Sequence, residues 1–274
     1  MKMMKFIAPF FAVVLLFSLS GSAFAAPPDD NPGKGPPEYD KIVFIHYGNE
    51  HHGAKPPGTP GGGGGNGGGG KKGDPELYSY SKVHWADADL PVEYYINTNG
   101  TPVSVDINDG IDAIKASFDA WENDPESYID FNYAGPTSVA PGLDVASPDY
   151  TNVVGWADIS VDYPNAIGIT TIWSLRGRKT VVDVDTVLNT GSPFAWALGS
   201  VVGEPNGQWL TDTIAYDVDV QNIMTHEAGH WLVLNDLYNN DIYLEQTMYG
   251  ISSDGELKKR SLESGDIAGV RKIY

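Results

Sequence analysis

The 274-residue sequence contains no cysteine. That excludes a disulfide framework, a thiolate zinc cage, an iron–sulfur cluster and a cysteine nucleophile. Basic residues are few, 17 against 36 acids, a formal charge of −19. Such a balance argues against a nucleic-acid partner, which would be held by neutralising phosphates. Beyond the first 25 residues no apolar run is long enough to cross a bilayer, so no membrane association is expected of the mature chain. A hydrophobic fraction of 41%, with seven Trp and fifteen Tyr, is enough for a packed core.

Residues 1–25 have the order of a secretory signal peptide. Lys2 and Lys5 precede the uncharged run Phe6 to Phe17, and Ala23-Phe24-Ala25 forms a small-x-small cleavage site. The expected product is secreted. Residues 26–73 carry eight prolines between Pro27 and Pro60 and the near-pure glycine tract Gly61–Gly65, Gly67–Gly70. That composition is a flexible segment or short propeptide. One strand-like island interrupts it, Lys41-Ile-Val-Phe-Ile-His-Tyr47, followed by His51 and His52. Residues 74–274 hold 31 acidic against 10 basic residues, so the acidity belongs to the part of single-domain size.

Within residues 74–274, Val92–Asn97, Tyr128–Tyr133, Asn152–Asp158, Ala166–Trp173 and Thr180–Leu188 read as strands between Pro, Gly and Asp turns. Ile107, Ile111, Ile114, Phe118 and Trp121 mark the apolar stripe of a helix that Asn123-Asp124-Pro125 ends. A second helix starts near Asp217 or Asp219, either of which could cap it. Its buried side is Val220, Ile223, Met224, Ala228, Trp231 and Leu232. A third spans about Ser264 to Tyr274. Strands with three helices predict an α+β layer arrangement.

The second helix carries His226-Glu227-Ala228-Gly229-His230. Residues four apart share a helix face, so both imidazoles can reach one ion. Glu227 flanks that face, placed to move protons for a water at the ion rather than to bind the ion. The expected chemistry is zinc-dependent hydrolysis of an amide in a peptide or protein substrate, with Glu227 as catalytic base and acid and no covalent intermediate. No histidine follows His230. The third ligand is therefore an acid or an upstream residue. Asp236 can swing back if the helix ends near Leu234, and Glu245, Glu256 and Glu263 are also available.

His226 to Asp236 resembles the metzincin zinc signature HExxHxxGxxH/D, in the snapalysin-type form with Asp last. Thr247-Met248-Tyr249-Gly250 is similar to the Met-turn, and Asp266 to Tyr274 to the closing helix of matrixins. Val83–Ile96, Phe118–Trp121 and Val181–Asn189 resemble further matrixin segments. The resemblance implies a secreted matrixin-like zinc endopeptidase with a twisted, mostly parallel five-stranded sheet and three helices. It implies zinc on His226, His230 and Asp236, Met248 beneath the metal, and Ala166–Trp173 as an edge strand open to substrate. Val233 stands where the family has glycine, and Gly250 where matrixins usually have proline. The matrixin propeptide cysteine has no counterpart. A gluzincin-type site with a downstream Glu ligand is the alternative within the zincins; a non-catalytic secreted zinc-binding surface protein is the alternative outside them.

Asp183 and Asp185 alternate with valines and read as the solvent face of a strand. A structural calcium site, Ca2+ held by acidic loops near Asp144, Asp149, Asp158 and Asp162, is the other reading. His84 reads as structural, and His46, His51 and His52 as solvated. A bolder reading puts the 41–52 island in the cleft, with a histidine in the role of the matrixin cysteine.

Overall fold

A computed structural model describes residues 38–48, 77–199, 216–238 and 241–274. The signal-peptide segment, His51, His52 and the glycine tract lie outside the described residues. The fold is α+β, a mixed sheet with three helices. No helix among the described residues is long and apolar enough to cross a membrane.

The elements in chain order are β1 (Tyr39–Gly48), β2 (Val92–Asn97), α1 (Ile107–Glu122), β3 (Phe131–Thr137), β4 (Val153–Ala157), β5 (Ala166–Leu175), β6 (Thr180–Asn189), β7 (Phe194–Ala197), β8 (Tyr216–Asp219), α2 (Val220–Trp231), β9 (Ile251–Ser252) and α3 (Ser264–Ile273). The main sheet runs β3-β2-β4-β6-β5-β1-β9. β3, β2, β4 and β6 are parallel, and β5 returns antiparallel to β6. Four parallel strands and an antiparallel fifth agree with the mostly parallel sheet that was expected, but the fifth is not an edge. The sheet nevertheless has seven strands, not five. β1 adds antiparallel to β5, and β9 adds parallel to β1. Hence β5 is an interior strand here, because the chain's own residues 39–48 occupy its second edge.

Helix α1 starts at Asp106, whose carboxylate accepts the Asn108 and Asp109 amides at 2.9 and 3.3 Å. Ile114, Phe118 and Trp121 of its stripe are buried, while Ile107 is exposed. The stripe docks on α2: Trp121 Nε1 donates to Thr225 O (2.8 Å) and Ser117 Oγ to Gln221 O (3.2 Å). Asp219 caps α2, accepting Asn222 N at 2.8 Å, while Arg260 holds the same carboxylate through two N–H groups. All six residues expected on the buried side of α2 are buried. β3 begins three residues later than expected: Tyr128 is exposed, and Ile129, although buried in the core, precedes the pairing with β2, which starts at Phe131.

Asp183 and Asp185 are not on a solvent face. Both are buried beneath the loop that precedes β4. Asp183 Oδ2 accepts Asp149 N at 3.0 Å, and Asp185 Oδ1 accepts Val153 N at 3.1 Å. The loop's backbone donors are satisfied by these carboxylates, and the alternation that suggested solvent reflects a polar layer under the loop. Burial pushes Asp183 up to about 7 and Asp185 up to about 8.

Candidate functional site

Helix α2 places His226 and His230 one turn apart, both fully buried. Each ring is oriented by a backbone carbonyl. His226 Nδ1 bonds Thr247 O and His230 Nδ1 bonds Leu234 O, each at 2.7 Å. With Nδ1 engaged by an acceptor, Nε2 of each ring is left as the lone-pair nitrogen facing the site. Asp236 Oδ1 lies 3.1 Å from His226 Nε2 and 3.5 Å from His230 Nε2. All three atoms are buried and none makes a directed hydrogen bond within the protein. They lie within 4.8 Å of one another. Two imidazole nitrogens and a carboxylate oxygen, orphaned together, are the donor set a tetrahedral zinc takes from a protein. The residues fit that ion.

Charge follows the same geometry. Burial opposes ionisation of Asp236, but the two imidazoles outweigh it and hold the carboxyl well below the usual carboxylate range. Burial lowers His226 to about 4, so its lone pair is available to an ion near neutrality. Burial works against a charged His230 too, and the Asp236 carboxylate reverses that and raises it.

Asp236 is reached through a tight helix end. Leu234 N bonds Gly229 O at 3.1 Å and Val233 N bonds His230 O at 2.8 Å, the paired bonds of a Schellman motif. The residue at the turn must have positive φ, and Val233 has φ 63°. The turn therefore falls where a glycine would be expected, without displacement, and a β-branched residue bears its strain. The acids of the gluzincin alternative face elsewhere. Glu256 bonds Ser253 N and lies 3.6 Å from Lys259 Nζ, Glu263 caps α3, and Glu245 is exposed beside Lys258.

Glu227 is fully buried beside the triad. Its Oε2 accepts from Thr170 Oγ1 at 2.6 Å. Thr170 Oγ1 is 2.8 Å from Thr186 Oγ1, which accepts from Trp231 Nε1 at 2.9 Å. The Trp231 N–H is donor only, so both hydroxyls point their protons toward Glu227. The second oxygen, Oε1, has no hydrogen-bond partner. It rests on β5, where a Cβ added to Gly168 would approach it to 2.6 Å. Burial pushes Glu227 up to about 7, the range in which a carboxylate can both take and return a proton.

No protein-family model matches this sequence, and no curated protein matches it.

Met248 lies under α2. A Cβ at Gly229 would come within 2.2 Å of its sulfur and 2.7 Å of Trp121, so Gly229 is needed for this close approach. The turn at Thr247 and Met248 is held by Asp266 of α3, which accepts Thr247 N (2.7 Å) and Met248 N (3.1 Å). Tyr238 packs against Gly250, whose added Cβ would strike its ring at 2.4 Å.

The structure brings together His226, Glu227, His230, Asp236 and Met248. His46 is not solvated: it is completely buried. Its ring centroid is 3.9 Å from that of His226, and its Nδ1 is 3.5 Å from Glu227 Oε1. Its Nε2 is 2.9 Å from Ser252 Oγ and 3.3 Å from Lys259 Nζ. His84 is exposed and pairs through its backbone with Thr180. Thr170, Asp266 and Lys259 escaped sequence reasoning, because hydroxyl, carboxylate and ammonium partners distant in sequence leave no spacing signal. The aspartates considered for calcium take part in neither of the two groups of His, Asp and Glu able to hold an ion among the described residues.

Proposed function

We propose that this protein is a secreted zinc-dependent endopeptidase, with a catalytic domain of metzincin, matrixin-like type over residues 74–274. The observation that carries the reading is the convergence of His226 Nε2, His230 Nε2 and Asp236 Oδ1, all buried and undirected toward each other, beside the free Oε1 of Glu227. A purely structural zinc site has no need of that carboxylate. The four parallel strands with an antiparallel fifth, the Schellman turn into Asp236 and the methionine beneath the helix agree with the metzincin resemblance.

When bound, zinc supplies Lewis acidity toward a water and a substrate carbonyl. Glu227 Oε1 takes the proton of the attacking water and returns it to the departing amine nitrogen. The Trp231–Thr186–Thr170 chain keeps Oε2 hydrogen-bonded throughout, so the carboxylate does not rotate as it changes charge. Thr247 and Leu234 hold the two imidazoles in the metal-binding tautomer.

The test is prolonged incubation of the zinc-loaded chain with an unfolded protein, read as new termini by mass spectrometry. Wild type should cut, and Glu227→Gln should retain zinc but cut at least about 1000-fold more slowly, the upper decade of what a positioned acid–base group supplies. Chelation should abolish cutting. Cuts that persist in Glu227→Gln, or a chain that takes up no zinc, would sink the reading.

A further inference from the structure

A hydrolase must admit its substrate, yet His226, Glu227 and His230 are all 0% exposed. What seals them is β1. Nine of its residues pair with β5 in antiparallel register, from Tyr39 opposite Leu175 to Tyr47 opposite Ala166. On its other side Tyr47 and Gly48 pair in parallel with Ile251 and Ser252 of β9. The strand thus lies in the slot between β5, which carries Thr170, and the segment that follows Met248. Phe44 lies flat on His230, ring centroids 4.0 Å apart and planes within 4°. Two residues on, and on the same face of the strand, His46 meets His226 and Glu227. Phe44 and His46 therefore stand over the two imidazoles and the catalytic carboxylate. Farther out Arg176 clamps Glu38 and Asp40 at 2.7 Å each, and Lys41 Nζ donates to Leu143 O at 2.7 Å.

We infer that the slot between β5 and β9 is the binding cleft for an extended peptide, and that residues 39–48 are its tethered occupant, holding the enzyme shut until the strand is released. This inference rests on the endopeptidase reading. Backbone addition to an exposed sheet edge accepts many sequences, because the hydrogen bonds are to the main chain. The partner class is therefore an extended polypeptide running antiparallel to β5, with a planar side chain where Phe44 stacks. The occupant belongs to this chain, and its connection to Leu77 runs through the proline- and glycine-rich residues 49–76. Tethering converts binding of the strand into an intramolecular event of high effective concentration. Cutting the connection removes that advantage.

The test replaces residues 61–70 of the full chain by the recognition sequence of a site-specific protease, in the wild-type and the Glu227→Gln background. The probe is a fluorescent peptide ending in a hydroxamate. Before cutting, the zinc-loaded chain should bind it weakly and hydrolyse slowly. After cutting and dilution, the N-terminal fragment should leave, as seen by size exclusion. Probe affinity should then rise by about 100-fold or more, the scale that loss of a tether sets. Hydrolysis should rise in parallel in the Glu227 chain alone. A synthetic peptide of residues 38–48 should restore the block, and Phe44→Ala with His46→Ala should loosen the uncut chain by about 10-fold. The inference is overturned if the uncut chain binds the probe as well as the cut one. It is also overturned if the fragment stays bound after dilution, or if zinc makes the intact chain cut itself within 39–48. Tighter probe binding without Glu227-dependent hydrolysis would keep the self-blocking strand and refute the endopeptidase reading. Full hydrolysis by the uncut chain would do the reverse.

Discussion

Asp266 and His226 do not touch, yet one residue joins them. Thr247 gives its N–H to the Asp266 carboxylate and its C=O to His226 Nδ1. The first turn of α3 thereby fixes an imidazole on α2. Replacing Asp266 by Asn puts an amide NH2 against backbone donors and frees Thr247 to shift. Zinc affinity should fall by about 10- to 100-fold, as for other groups that orient ligands. Competition with a chromophoric chelator measures this, and unchanged affinity would mean that the turn holds without Asp266.

Removing the proposed third ligand should cost more than removing the support of a proposed one. Asp236→Ala is expected to lower zinc affinity beyond the Asp266→Asn variant, while Glu245→Ala, Glu256→Ala and Glu263→Ala leave it within about threefold. The same competition assay decides. Loss of zinc in one of the three Glu variants with retention in Asp236→Ala would transfer the third position to that glutamate.

Thr170 donates to Glu227, and that bond lowers the carboxyl against the effect of burial. Thr170→Val removes the donor, so the carboxyl should titrate higher. The base form is then populated only at higher pH, and the acidic limb of kcat/KM should move up by about one unit. A limb that stays in place, or moves down, would show that Thr170 does not set the proton affinity.

Val233 has φ 63° and is fully buried. Glycine in its place would relieve about 1–2 kcal/mol of left-handed strain and forfeit about 1.5–3 kcal/mol of side-chain burial. Val233→Gly should therefore change unfolding free energy by under about 2 kcal/mol, where burial at an unstrained site would predict a larger loss. Denaturant unfolding of the zinc-loaded chain reads the difference.

Asp183 and Asp185 are raised by burial to about 7 and about 8 in the folded chain. Between the ordinary carboxylate range and those values the folded state binds more protons than the unfolded one, so stability should fall as pH rises from about 4 to about 8. For Asp183 the ceiling is about 4 kcal/mol. Asp183→Asn with Asp185→Asn should flatten that slope in EGTA-treated protein, gaining stability at pH 8 and little at pH 5. If added calcium flattens the wild-type slope equally, the pair belongs to a cation site.

Much of this was legible because it is local. The 4-3-4-3 stripe marks α1, Asp219, one of the two caps expected, caps α2, and four-residue spacing puts His226 and His230 on one face. Asp236 was readable as a spacing, though Val233 argued against the turn it needs. A single unfavourable φ is outweighed when the ring of His230 and the side chain of Val233 are both packed. Sheet edges were not legible. Nothing within Ala166–Leu175 says what will pair with it, since the partner strand lies far upstream in chain otherwise built of proline and glycine. His46 and Asp183 differ from their expected exposure for a related reason: a polar residue reads as wet, whether it alternates with valines, as Asp183 does, or sits in an apolar run, as His46 does, and only tertiary contacts reveal what covers it.

The edge of β5 has a last consequence, for colloidal behaviour. Released from β1, it presents a row of bare amides and carbonyls, a template on which any copy of the chain could dock a strand. An opened chain would be sticky toward itself. Residues 74–274 carry 31 acids against 10 bases. At low ionic strength that surplus keeps opened copies apart, and concentrated salt, by screening it, should let them aggregate while the closed form stays dispersed.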